Sequence, residues 1–423
     1  MGDADIQINE DGSTISIAWA HVSGMKVDTE IWSRLVREDV RSLWSSVRNA
    51  VPEGALQCLE SFDPDQLVDD PLSDKCIFDN LANADYLRKF QNEVLECLAG
   101  CKMDDTGANI DLNVANTFLE TLEELRAHLM TALVHSSGIP PRAFQLATLL
   151  FRELDGTFRR HRNIRKWQGD WLFGNVMAKQ DVHQEYAAYW LMCTEVSRAC
   201  AYIFGVLRPV EEYLLKHFQV TEAWEFHHYM FVKAPELESI PPSNPPSNPP
   251  SNSSQESETV LPSSSQSTDT EKLENDLSEG QKSTFVYTET DVNNVQRRRP
   301  GLGLEMRAER QVRTAIIKRY YPSLHSGTFF LLLRNRYLYP LAVSQYLSSP
   351  EDTTATTTFT DKPITLIKNS RDPRVRASGF HLAMYLAQKR VSLAIHEYFG
   401  LIESVGKAAN LPIGLLLIEP QSF

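Results

Sequence analysis

The sequence predicts a mainly α protein: a helical N-terminal region, then a second helical region that carries a small β-hairpin and is interrupted by a disordered insertion. Three observations predict it. Apolar residues recur at helical spacing through most of the chain between Glu30 and Phe218. Two short apolar runs, Asn163–Trp167 and Trp171–Val176, are joined by the turn cluster Gln168-Gly169-Asp170. From Ala234 to Ser283 the chain runs through three Pro-Pro-Ser-Asn repeats and then Ser, Gln, Glu and Thr, with almost no bulky apolar residue. Such a stretch buries too little surface to offset its ordering entropy. The expected divisions are therefore 1–110, 111–233, the insertion 234–284, and 285–423. At 423 residues and 42% hydrophobic, the chain has material for a large core.

Taken in order, Asp5–Trp19 reads as a hairpin, with Ile6, Ile8, Ile15 and Ile17 alternating around Asp11-Gly12. Glu30–Val51 carries the helical stripe Ile31, Leu35, Val36, Val40, Leu43, Trp44, Val47, and Asp63–Pro71 is acidic and turn-rich. Cys76–Leu98 and Leu112–Val134 read as two more helices. Gly138, Pro140 and Pro141 then break the backbone just before Arg142. The following run, Phe144, Leu146, Ala147, Leu149, Leu150, Phe151, is apolar nearly all round and reads as a buried helix. That places Arg142 in a first helical turn, beside backbone donors that favour an anion. An arginine at the end of a buried helix needs a partner.

Beyond the hairpin and Lys179, His183–Phe218 reads as helix with a break at Arg208-Pro209, and Glu211-Glu212 suit the turn that Pro209 opens. Ala223–Val232 reads as a buried strand. Leu304–Tyr321 is a helix with Val312, Ala315, Ile316 and Tyr320 inward and a basic flank.

The net charge of -13 weighs against a dedicated nucleic-acid binder, but the charge is unevenly placed. Residues 138–180 hold eight Lys/Arg against three Asp/Glu, and residues 296–320 hold eight against two. Two basic islands on an acidic chain fit a DNA-facing groove or, equally, solvated helix faces. Six cysteines are too scattered for a disulfide framework, and the Cys97/Cys101 pair has no nearby histidine, which points to packing rather than zinc. No signal-peptide pattern and no apolar run of about 20 residues occurs, so an intracellular, non-membrane protein is expected.

The segments Pro140-Pro141-Arg142 and Arg162-Asn163-Ile164, followed by a short hairpin and Lys179, resemble the region downstream of the helicase in fungal telomere-linked RecQ-like helicases. Cys76–Asn83 and Leu207–Leu214 add to that resemblance. An arginine on a helix followed by a lysine after a hairpin is also the order found in tyrosine recombinases. The resemblance implies a tyrosine-recombinase-like helical domain in which Arg142, Arg310 and Lys179 surround a DNA phosphate and a tyrosine attacks it. Arg310-Gln311 with Ala315-Ile316 fits the second-arginine slot, with Arg307 and Arg313 at neighbouring positions. Tyr398, in Ala394-Ile395-His396-Glu397-Tyr398-Phe399-Gly400, fits the nucleophile slot; Tyr337 is the alternative. The chain departs from the family where Gln145 replaces an acidic residue and where Lys389-Arg390 replace a histidine and a serine. Residues 328–360 interrupt the resemblance altogether.

The implied partners are double-stranded DNA, through Arg159, Arg160, Arg162, Arg165, Lys166, Arg307 and Arg313, and a helicase; no metal or cofactor is implied. The expected location is the nucleus or elsewhere inside the cell. Three readings stay open: a DNA-binding module whose strand exchange has decayed, which we favour; an active strand-cleaving and rejoining enzyme; and a helical protein-interaction scaffold with no nucleic-acid role. No helicase phosphate-binding motif occurs.

Overall fold

A computed structural model describes residues 5–19, 22–69, 75–105, 109–152, 163–167, 169–178, 185–220, 224–235, 237, 285–298, 304, 306–322, 389 and 391–401. Among these residues the chain is mainly helical, with two small antiparallel sheets.

The N-terminal hairpin forms as its alternation predicts: β1 (Asp5–Ile8) pairs with β2 (Thr14–Trp19), with Ile6 opposite Ile17 and Ile8 opposite Ile15. Gly12 takes φ +76° in the turn, which favours glycine, and a Cβ there would lie 2.2 Å from the Tyr320 hydroxyl oxygen and require that side chain to shift. A third strand, β3 (Val22–Asp28), completes a meander that the sequence did not suggest. Asp28 then caps α1 (Thr29–Ala50), its carboxylate accepting from the Ile31 N–H at 2.9 Å.

Helix α1 buries the stripe Trp32, Val36, Val40, Leu43 and Val47. The short α2 (Leu56–Glu60) leads to α3 (Leu81–Ala99), which Asn80 caps and Gly100 ends in the left-handed conformation. Helix α4 (Leu112–Ser136), capped by Asp111, is the centre of the fold: every residue from His128 to Ser136 is buried. It packs along α1, and α6 (Thr194–Tyr202) packs on both. One continuous apolar cluster joins these helices to the C-terminal elements, from Ile15 to Leu401.

Where the sequence pointed to a long buried helix after Arg142, α5 (Ala143–Ala147) is only five residues long and Phe144 is exposed. The chain turns instead to form a bridge between Leu150 and Tyr229, and that long-range pairing ends the helix. The second hairpin is present as β4 (Ile164–Trp167) and β5 (Asp170–Ala178), with Gly169 at φ +81° in its turn. It gains a third strand, β6 (Glu185–Leu191), in a segment whose pattern read as helix. The open edge of β5 captures these residues, and Trp190 stacks on Phe173 with ring centroids 5.3 Å apart.

From α6 the chain continues through a π-helical turn, Ile203–Leu207, into α7 (Arg208–His217), so Pro209 sits in a first turn as expected but the helical run is not interrupted there. The segment read as a buried strand is a short helix, α8 (Trp224–His228), followed by isolated bridges. One of these pairs Val232 with Val286, and the Lys233 N–H donates to the Phe285 carbonyl at 2.8 Å. The two chain ends that border the expected insertion are thus stitched directly to each other. Apart from Ala234, Pro235 and Leu237, that insertion lies outside the described residues. Helix α9 (Glu289–Arg298), not anticipated, packs on α5 and α4. Helix α10 (Met306–Tyr320) forms as the expected basic helix with Val312 and Ile316 buried, but Tyr320, expected inward, is exposed; a last helix, α11 (391–399), carries His396 and Tyr398.

Candidate functional site

The chain's break at Gly138-Ile139-Pro140-Pro141 leaves the carbonyls at the end of α4 without helical partners, and a helix end buried in this way requires donors from elsewhere. Five of the six carbonyls from His135 to Pro140 receive side-chain donors from four distant positions. Arg313 of α10 donates to His135 (3.2 Å) and Ser137. His396 of α11 donates from Nε2 to Ser136, and because a carbonyl only accepts, that nitrogen carries the proton. The Trp190 indole donates to Ile139 at 2.6 Å, and Arg310 donates to Pro140. At Gly138 the close approach comes from α11 itself: a Cβ would lie 2.7 Å from Val391 Cγ1 and 2.8 Å from the Ser392 nitrogen.

This clamp presents Arg142. Its own N–H is held by Gln145 Oε1 at 2.9 Å, and the Gln145 N–H returns to the Arg142 carbonyl at 2.9 Å. Gln145, fully buried, therefore performs a capping role that an amide meets as well as a carboxylate does. The Arg142 side chain is exposed, not buried at a helix end as its sequence context suggested.

Arg310 and Arg313 do converge on the Arg142 loop, but as braces of its backbone. Arg313 is fully buried and paired with Glu309 at 2.8 Å, with its guanidinium over the Phe399 ring. Burial lowers its pKa, against the opposing pull of the Glu309 carboxylate. A guanidinium with no accessible surface cannot reach a phosphate, so its assignment to DNA contact is corrected to a structural one. Lys166 is likewise engaged: its ammonium donates to the carbonyls of Pro64 (3.3 Å), Asp65 (2.8 Å) and Leu67 (3.2 Å), in the acidic turn-rich stretch. Arg165 is half-buried on β4, and Arg307 is exposed on α10. Arg159, Arg160, Arg162, Lys179 and Tyr337 lie outside the described residues.

Tyr398 does not join the group. It follows His396 by two residues, about 200° around the helix, so it faces away from the clamp that His396 completes. Its ring packs on Tyr320, with centroids 5.4 Å apart, on the side where the Tyr320 hydroxyl meets Gly12. Burial, and then the neighbouring Tyr320 and Tyr321 hydroxyls, push its phenol up to about 12. An attacking tyrosine needs the opposite shift. Lys389, at the start of this region, is paired with Asp170 in the β4–β5 turn.

No family model matches the chain, and no curated protein or solved structure shows significant similarity to it.

Three further charge clusters were not foreseen. Glu211 receives Arg126 at 2.8 Å and Arg208 at 2.8 Å, while Arg152 bridges Asp79 and Glu212. Arg208 and Glu211 lie in the turn that Pro209 was expected to open, and with Arg126 they join α4, α7 and the 229–232 segment. Between α1 and α4, Asp39 receives His135 Nδ1 at 2.8 Å and lies 3.3 Å from His128 Nε2, with Ser46 on the far nitrogen of His128 at 2.8 Å. Burial alone would raise the Asp39 carboxyl; the hydrogen bonds from the two histidines hold it far below the usual range instead. The spacing of His128 and His135, seven residues apart on α4, is the only sequence signal for this pair. Among the described residues no helix is long and apolar enough to cross a membrane.

Proposed function

We propose that the chain is a tyrosine-recombinase-like module that holds double-stranded DNA and no longer carries out strand exchange. The observation that carries this reading is the clamp: four positions from three separate elements are spent on fixing the backbone that presents one exposed arginine, Arg142. A permanently charged, bidentate donor on a rigid mount suits a phosphate. The decayed chemistry is supported by Tyr398, which faces the N-terminal hairpin with a raised phenol pKa. In a preorganised site each lost donor costs about 10²–10³ in rate, so the loss of several leaves little turnover.

The test has two arms. Binding to a random duplex, measured at low salt and then at rising salt, should weaken steeply as counterions are released. A nicked suicide substrate should trap no covalent phosphotyrosine. An adduct abolished by both Tyr398→Phe and Arg142→Ala would overturn the decay, and one lost only with Tyr337→Phe would move the nucleophile. A helical scaffold without a nucleic-acid role is the second reading. It is favoured by the internal use of Arg126, Arg152, Arg208, Arg313 and Lys166, which removes five cations from any external surface. Failure of the wild-type chain to bind duplex at low salt selects it.

A further inference from the structure

Three elements meet around Arg142, and each presents an exposed arginine. Helix α9 packs on α5 and α4, and its Val292 and Gln296 are buried. Arg297 and Arg298 follow directly on Gln296 and are exposed. The Asn293 side chain accepts from the Met306 N–H at 3.4 Å, which sets the first residue of α10 beside the middle of α9. One turn into α10, Arg310 reaches the Pro140 carbonyl, two residues before Arg142. Arg307, three residues earlier on the same helix, is exposed.

Glu309 is buried on Arg313, and Asp291 is paired with Lys233 at 3.0 Å in the first turn of α9, with Glu289 beside it. Asp291 precedes Arg297 by six residues, about 9 Å along the helix axis.

We propose that Arg297 and Arg298 at the end of α9, with Arg307 and Arg142, form a phosphate-tracking face for duplex DNA. The proposal rests on the DNA-holding reading and adds the residues by which the duplex is held. Four guanidiniums fixed on three packed helices suit a rod of regularly spaced charge. Duplex DNA carries one negative charge per about 1.7 Å of its axis. Contacts of this kind go to the backbone and carry no base sequence, so binding is uniform across sequences.

The experiment uses the full chain. Its affinity for two unrelated duplexes of random sequence is measured by fluorescence anisotropy across a salt series. Each phosphate contact contributes about 0.9 to the slope of log affinity against log salt. Arg297→Gln/Arg298→Gln should lower that slope by about 1.8 on both duplexes. Arg297→Lys/Arg298→Lys should retain it, which separates charge from packing. Arg34→Gln, at an exposed arginine of α1 paired only loosely with Glu38 at 3.9 Å, should leave it unchanged. A steep wild-type slope that the glutamine pair does not alter overturns this face while the DNA-holding reading stands. Competition by polyglutamate as effective, per charge, as duplex would also overturn it, by assigning the face to an acidic protein segment. A wild-type chain that does not bind duplex removes both.

Discussion

Replacing Arg313 by methionine separates a brace from a ligand. In the folded chain Arg313 has no exposed surface, donates to the carbonyls of His135 and Ser137, and makes two contacts to Glu309 at 2.9 and 2.8 Å. The variant leaves the Glu309 carboxylate, itself 5% exposed, without its cation. Breaking a buried pair by removing one partner costs about 3–5 kcal/mol. Each carbonyl deprived of a donor adds about 1–3 kcal/mol where water cannot enter. For a chain of this size 1 kcal/mol moves Tm by about 2 °C, so thermal unfolding should fall by about 6–10 °C from the ion pair alone. The double variant Arg313→Met/Glu309→Met removes both charges together, and replacing a whole buried pair by apolar residues is often neutral. It should recover at least half of the loss, and its salt slope for duplex should equal that of the wild type. Unfolding followed by intrinsic tryptophan fluorescence measures the first result, and anisotropy the second. A single variant that melts within about 2 °C of wild type, yet loses about one unit of salt slope, would refute the burial argument and return Arg313 to the DNA.

Glu211→Leu should destabilise by a comparable margin, about 3–5 kcal/mol in urea unfolding, because Arg126 and Arg208 are left buried together without their carboxylate. Joining residue 238 to residue 284 through a short Gly-Ser link should leave the fold intact and raise stability by up to about 2 kcal/mol, since the flanking strands are already paired and a shorter loop costs less to close; a collapse of the thermal transition would show that the removed segment packs on the core. Acid should weaken the fold through His396. Burial, and then the Arg313 charge, lower its pKa to about 4, although the Ser136 carbonyl opposes them, while the unfolded side chain titrates near 6.5. The unfolded chain therefore binds the proton first, so this stability is complete above about pH 6.5 and is lost as pH falls toward 4. Between pH 7.5 and pH 5 the loss is about 2 kcal/mol of unfolding free energy, read from urea titrations, and His396→Gln, which keeps a donor for Ser136, should flatten the profile.

Much of the helical framework was legible in local pattern. The stripe of α1, the spans of α3, α4 and α10, and the two hairpins around Asp11-Gly12 and Gly169 rest on interactions between residues a few positions apart, which spacing alone encodes. Glu185–Leu191 was misread because Glu-Tyr-Ala-Ala-Tyr-Trp-Leu suits a helix equally well; a strand results because β5 offers an unpaired edge. Likewise Phe144–Phe151 ends its helix early because Leu150 pairs with Tyr229, far along the chain.

At the candidate site the division is sharper. Sequence by itself determined that Arg142 follows a backbone break, and that Arg307, Arg310 and Arg313 share one helix. Each three-residue step turns a helix by about 300°, so those three arginines fan across only about 120°. That arc runs from the exposed Arg307, through the half-buried Arg310, to the fully buried Arg313. Only the packing of α10 against the end of α4 decides which of them meets solvent and which meets a carbonyl. The same holds for His396 and Tyr398, two residues apart in sequence and on opposite sides of α11. Periodicity is short-ranged and fixes which residues share an element. The partner of a charge is set by whatever distant surface the core brings against it, and tertiary structure alone decides that.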